Sequence, residues 1–148
     1  MNRCELADSY HKQGYSCSQS VLAAFSDKTG LSVEDSFNLA GGFGGGAGAG
    51  EMCGALCGAV MVLGAMTPVD PTDPVGSKRR VQKQGKELLS RFSTCFGYVR
   101  CADLLKNPTV ADENVIASAK SMGLTKHCDI MINTAVEILE QMLEEQGK

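Results

Sequence analysis

Several residue types are scarce in this chain of 148 residues, and each absence excludes something. There is no Trp, and aromatic residues make up only 5% of the sequence, so the core must be built from aliphatic side chains, Met, Ala and Cys. That palette does not favour a sheet sandwich. Only two histidines occur, and neither has the partner arrangement of a Ser or Cys hydrolase triad.

The chain also lacks an excess of positive charge and a long apolar run. Its net charge is -3, which argues against a general nucleic-acid binder. The most apolar stretch, Met52–Met66, has 15 residues, fewer than the roughly 20 that a membrane span needs. No basic segment followed by an apolar stretch opens the chain. We therefore expect a cytoplasmic protein that binds neither nucleic acid nor membrane.

Two residue types are abundant instead, with 7 Cys and 17 Gly. An odd number of cysteines does not suit a secreted disulfide framework, and in a reducing compartment cysteines are metal ligands, redox thiols or small buried side chains. No Cys-x-x-Cys occurs, so a zinc finger or a bacterial ferredoxin run is not supported. Covalent c-type haem, which needs Cys-x-x-Cys-His, is not supported either.

Apolar side chains recur with helical periodicity nearly everywhere, and no run alternates as a strand would. Capping residues mark several helix starts: Ser16 with Gln19 in capping-box spacing, Ser32, Asp112 and Thr125. The sequence therefore predicts one compact all-α domain over residues 1–148. It would contain about six or seven helices, with a glycine-rich loop before a central helix.

The glycine-rich loop, residues 41–50, contains seven glycines in ten positions. A dinucleotide or phosphate loop is not favoured, because the preceding segment is helical and Glu51 follows where a P-loop has Lys and Ser or Thr. A flexible linker would be richer in Ser, so tight packing is the better interpretation. Gly50, Gly54 and Gly58 then form a stripe on the next helix that lets another backbone approach, inside one chain or across a homodimer.

Four cysteines are predicted at helix N-termini: Cys17, Cys53, Cys101 and Cys128. The free N–H groups and the helix dipole at such positions stabilise a thiolate and lower its pKa, and they also favour an anionic metal–thiolate cluster. The remaining three are expected inside helices as core thiols: Cys4, Cys57 and Cys95. Cys57 lies one turn beyond Cys53 and is a candidate resolving thiol.

At these residues the chain resembles a known family, the C_GCAxxG_C_C redox-active proteins, which is related to the cysteine-rich domain of split-Soret cytochromes. The segments that carry the resemblance are residues 14–22, 41–46 with 53–58, 96–105, and the last helix with Cys128. The resemblance implies that Cys17, Cys53, Cys101 and Cys128 are the family's signature cysteines. It also implies a bound prosthetic group, most readily an iron–sulfur cluster of the 2Fe–2S or 4Fe–4S type.

The leading hypothesis is a small electron-transfer or redox-sensing protein with an unidentified redox partner protein. The four signature cysteines (Cys17, Cys53, Cys101 and Cys128) would bind the cluster. Backbone groups of five glycines would contact it: Gly44, Gly45, Gly46, Gly54 and Gly58. Zinc is the alternative metal for a four-cysteine set. A metal-free thiol–disulfide oxidoreductase and a binding module with purely structural cysteines remain open.

Two polar features are secondary candidates. His127 is next to Cys128, where it could tune or replace a ligand, although a partly exposed helix residue is the commoner role. The stretch Lys78–Arg91 carries six basic residues and one acid, so it could dock an acidic redox partner or bind an anion. A solvated helix face explains the same charges.

Overall fold

The computed structural model of the protein describes residues 1–148 and contains ten helical segments and no β-strand. Nine are α-helices: α1 (Arg3–Lys12), α2 (Cys17–Ala24), α3 (Ser26–Thr29), α4 (Val33–Ala40), α5 (Gly54–Ala65), α6 (Pro74–Phe96), α7 (Cys101–Lys106), α8 (Glu113–Met122) and α9 (His127–Glu145). The tenth is a π-helical turn, Gly46–Gly50, inside the glycine loop.

The predicted all-α class is confirmed, but the predicted number of six or seven helices is wrong. Two of the extra segments, α3 and the π-helical turn, cannot be recognised from apolar periodicity. The backbone leaves helical geometry at Phe25, with φ −106° and ψ 18°, which splits one predicted helix into α2 and the single turn α3. The π-helical turn has no apolar face, so nothing in its composition marks it as helical.

The central helix is α5, which packs against α2, α6 and α9. It is apolar on all sides, as a helix surrounded by others must be. Large, fully buried side chains from these four helices and from the residue that ends α2 form most of the core: Leu22, Phe25, Leu56, Leu63, Leu88, Phe92, Ile132 and Leu139. Burying each such side chain contributes about 1.5–3 kcal/mol. No helix combines the length and the apolar character that crossing a membrane requires.

Most of the predicted helix starts are confirmed. The Ser16 side chain accepts from the N–H of Gln19, whose side chain returns to the Ser16 N–H, and Ser32 and Asp112 also cap their helices. The prediction for the last helix is wrong. Its N-cap residue is Lys126, one position after Thr125, and no side chain caps it.

Glycines on α5 allow α2 to cross it at short range. A Cβ at Gly58 would lie 2.7 Å from the carbonyl oxygen of Ser18 and 3.1 Å from the Cβ of Val21. This end of the glycine stripe therefore packs within the chain. The contact fixes the first turn of α2, which carries Cys17, against the first turn of α5.

Candidate functional site

The four signature cysteines line one cavity of about 240 Å³, although they come from four separate segments of the chain. Each occupies a helix start, as predicted: Cys17 opens α2, Cys53 immediately precedes α5, Cys101 opens α7, and Cys128 is the second residue of α9. The largest cavity of the molecule, about 520 Å³, is lined by a single cysteine, Cys95. Convergence of cysteines is thus a property of this one cavity.

Cys17 enters the cavity through a notch in α5. Its Sγ would clash with a Cβ at Gly54, and the carbonyl oxygen of Phe43 would lie 2.9 Å from the same Cβ. Only a residue without a side chain leaves this space free. Gly54 therefore brings the Cys17 thiol next to the N-terminus of α5.

Cys53 and Cys101 are brought together by the two segments that precede α5 and α7. The N–H of Cys53 donates to the carbonyl of Val99 at 2.8 Å, and the N–H of Cys101 donates to the carbonyl of Glu51 at 2.6 Å. These bonds form one antiparallel bridge between Met52 and Arg100. The glycine loop and the α6–α7 connection consequently hold the two cysteines as neighbours.

The other three cysteines lie outside this cavity. Cys57 is buried one turn beyond Cys53, and its Sγ donates to the carbonyl of Met52 at 3.7 Å. Cys95 lies inside α6, as expected. Cys4 differs from the expectation, because it is the second residue of α1 and thus also belongs to a first helical turn. A helix start alone does not bring a cysteine to the cavity.

Burial dominates the acidity of these thiols. It raises the pKa of Cys53 to about 12, although the backbone N–H groups of Ala55 and Leu56 act in the opposite direction. Burial and then the neighbouring Cys17 raise the pKa of Cys101 and of Cys128. The expectation of lowered pKa values is therefore wrong for Cys53, Cys101 and Cys128 in the metal-free protein. A bound metal would reverse this, because a coordinating thiol is deprotonated.

The reduced, metal-free protein is expected to lose stability as the pH rises. Its Cys53 pKa of about 12 lies above the ordinary value of 9.0, so folding favours the protonated thiol. This contribution is complete below the ordinary value and disappears as the pH rises toward about 12. Urea denaturation at neutral and alkaline pH measures the decline, and Cys53→Val should make it shallower. Equal declines in both proteins would contradict the assignment.

The glycine loop contains a left-handed turn. Gly45, Gly46, Ala47 and Gly48 have φ values between 58° and 68°. Of the five glycines predicted to contact a bound group, only Gly45 and Gly54 line the cavity. Gly44 instead packs against the side chain of Ser16, Gly46 against the backbone of Glu51, and Gly58 against α2. The loop mainly positions the cysteine segments through its close contacts.

Two substitutions in this turn separate backbone strain from crowding. Gly48→Ala is expected to cost about 1–2 kcal/mol, the penalty of a left-handed L-residue, because nothing lies within 4 Å of its Cβ. Gly46→Ala should cost clearly more, since its Cβ would also lie 2.5 Å from the N and O atoms of Glu51. Urea denaturation of both variants measures the difference. Equal losses would show that the contact with Glu51 is not tight.

A histidine that is not among the predicted site residues faces the same cavity. His11, in the last turn of α1, lines it, and its Nδ1 lies 2.6 Å from Oδ1 of Asp129. These partners are 118 positions apart, so no local pattern connects them. His127, the secondary candidate, does not line the cavity. Its ring packs edge-on against Phe96, and its buried Nε2 has no hydrogen-bond partner within the protein.

No three His, Cys, Asp or Glu side chains are arranged around a common point to bind a single metal ion. The four thiols instead surround a volume. Cys53 is 3% exposed, whereas the other three signature cysteines are half-buried. Leu105, which lines the cavity, is 54% exposed, so one wall reaches the surface.

The fold and the site together define an all-helical protein in which four cysteines from helix starts line one cavity. The model of the family described as "Putative redox-active protein (C_GCAxxG_C_C)" matches residues 15–142, and the chain belongs to this family. No curated protein and no solved structure matches the chain.

Proposed function

We propose that this protein is an electron-transfer or redox-sensing protein that carries an iron–sulfur cluster on the thiolates of Cys17, Cys53, Cys101 and Cys128. The observation that carries the proposal is their convergence on one cavity of about 240 Å³. When bound, such a cluster takes up and releases single electrons. The family assignment supports redox chemistry of this kind.

The donor set fits a cluster better than a single ion. Structural zinc needs four donors at about 2.0–2.3 Å from one point, and no three donors here approach that arrangement. In an iron–sulfur cluster the cysteines are distributed over several iron atoms, so they need to surround a volume instead. The contact of Cys17 with Gly54 and the bridge between the segments that precede α5 and α7 bring the cysteines to one cavity, which supports this interpretation.

The thiol acidities do not favour metal-free thiol exchange. A thiol–disulfide oxidoreductase needs an attacking thiol with a lowered pKa in an electropositive environment. Here burial raises the pKa of Cys53, Cys101 and Cys128, and no lysine or arginine lines the cavity. The four helix N-termini direct positive partial charge to the cavity, which would stabilise an anionic cluster.

The residues around the cluster would control its contact with water and with a partner. Met131 is 2% exposed and lines the cavity opposite the surface, where it would exclude water. Leu105 would leave an apolar edge of the cavity open to a redox partner protein. Hydration and neighbouring polar groups affect the reduction potential of a cluster. A less hydrated cluster surrounded by fewer polar groups therefore has a different reduction potential from an exposed one.

Anaerobic purification followed by three measurements tests the proposal. We expect a coloured protein whose visible absorption bleaches on reduction, with iron and acid-labile sulfide bound in comparable amounts. Native mass spectrometry distinguishes a cluster from zinc and from a disulfide by mass. A colourless protein that remains free of iron and sulfide after anaerobic reconstitution, with its thiols intact, would contradict the proposal.

A further inference from the structure

The cavity offers one more donor than the four thiols. His11 Nδ1 lies 2.6 Å from Oδ1 of Asp129, and a carboxylate only accepts hydrogen bonds, so Nδ1 carries the proton. In the neutral imidazole Nε2 then presents a lone pair, and it makes no hydrogen bond within the protein. Since His11 lines the cavity, its imidazole is a potential nitrogen ligand there.

Asp129 places that imidazole beside one particular cysteine. It directly follows Cys128 in the first turn of α9, and its side chain is only 14% exposed. The hydrogen bond therefore holds the last turn of α1 against the residue next to Cys128. Both His11 and Cys128 line the cavity, so the helix turn that carries the Cys128 thiol also positions the His11 ring there.

A carboxylate that accepts from one ring nitrogen of a histidine is the usual outer partner of a metal-bound imidazole. It fixes the tautomer and raises the basicity of the other nitrogen. We propose that His11 Nε2 is a second donor for the iron position of Cys128, and that it binds that iron when the Cys128 thiolate is absent. The inference rests on the cluster proposed above.

The exchange would change the redox behaviour of the centre. A neutral imidazole replaces an anionic thiolate, and histidine ligation raises the reduction potential of iron–sulfur centres. The site would then keep its cluster after losing the Cys128 ligand, but at a higher potential. Loss of Cys53 has no such remedy, because the one histidine that lines the cavity is tied through Asp129 to the helix turn that carries Cys128.

The chain's two histidines allow a controlled experiment. Wild type, Cys128→Ala, the Cys128→Ala/His11→Ala double variant and the Cys128→Ala/His127→Ala control would be reconstituted anaerobically with iron and sulfide. We expect Cys128→Ala to keep its iron and sulfide, with a raised midpoint potential and a strong nitrogen hyperfine coupling in pulsed electron paramagnetic resonance. Removing His11 as well should lower the bound iron about tenfold or more. Removing His127 should not.

Three results would overturn the inference. In the first, wild type binds iron and sulfide, but Cys128→Ala binds as little of both as Cys53→Ala does. In the second, Cys128→Ala keeps its cluster without nitrogen coupling. In the third, the cluster survives in the His11 double variant. Wild type that binds no iron or sulfide would instead overturn the cluster itself, which separates the two failures. Circular dichroism checks folding, and Cys128→Val, closer to the thiol in volume, carries the same expectation.

Discussion

Gly54→Ala is expected to destabilise the protein and to empty the cavity. The new Cβ would clash with the Cys17 Sγ, and it would also lie 2.9 Å from the carbonyl oxygen of Phe43 and 3.3 Å from the Cα of Gly44. The two backbone atoms cannot move without shifting the loop, so Cys17 must leave its place. Overpacking of this kind costs about 1–3 kcal/mol. Urea denaturation of the metal-free protein and the iron content after reconstitution measure the two effects.

Gly64→Ala on the same helix is the matched control. Nothing lies within 4 Å of its Cβ, and its backbone is helical, so alanine should stabilise α5 by up to about 1 kcal/mol. It should also leave the iron content unchanged. Two variants with the same chemical change on one helix are thus expected to move stability in opposite directions. Gly54→Ala with the stability and iron content of wild type would show that Cys17 does not need the notch.

Local signals predicted what local forces determine. The hydroxyls of Ser16 and Ser32 satisfy free N–H groups within the next turn, so short sequence patterns were sufficient to find those helix starts. Thr125 has the same chemistry but does not cap α9, whose first turn is instead held through the Asp129 hydrogen bond to α1. Tertiary contacts took precedence there over the capping preference.

The same distinction between local signals and tertiary contacts applies to the candidate site. Helix-start positions and the family resemblance singled out four cysteines, but their spacing in the chain could not place them in one cavity. The position of Cys17 depends on Gly54, a contact between residues 37 positions apart. His11 depends on Asp129, which is still more distant in the chain. The sequence also could not show that burial, and not the helix dipole, would decide the pKa of Cys53.

The glycine loop shows that composition predicts tight packing but does not predict which glycine makes which close contact. Seven glycines in ten residues indicated tight packing, which the structure contains. Yet each close contact has a different neighbour: Gly44 meets Ser16, and Gly46 meets Glu51. Ala47 adopts the same left-handed geometry as the surrounding glycines, at φ 58°. Which glycine serves which contact depends on the path of the loop between α4 and α5, which composition does not encode.

Cys53→Ser is expected to remove the bound cluster, whereas Cys57→Ser is not. Both cysteines are buried on the same helical segment, one turn apart. Cys53 lines the cavity and its backbone N–H is fixed to Val99, so its thiolate has a defined place in the ligand set. Serine oxygen is a harder donor than thiolate and a much weaker ligand for cluster iron. We expect bound iron and sulfide to fall by about tenfold or more in Cys53→Ser.

Cys57→Ser provides the control because it makes the same atomic change in an equally buried side chain outside the cavity. Its hydroxyl would lie near the carbonyl of Met52, to which the Cys57 Sγ donates at 3.7 Å, so only a small packing cost is expected. Iron and sulfide per chain, measured after anaerobic reconstitution, should equal the wild-type values. Equal loss of iron in both variants would mean that the thiols near the start of α5 act through packing of the helix. Loss of iron in Cys53→Ser alone would show that a cluster ligand lies at the start of α5. The Cys53 thiol lies there next to Gly54, on the segment that pairs with the one before Cys101.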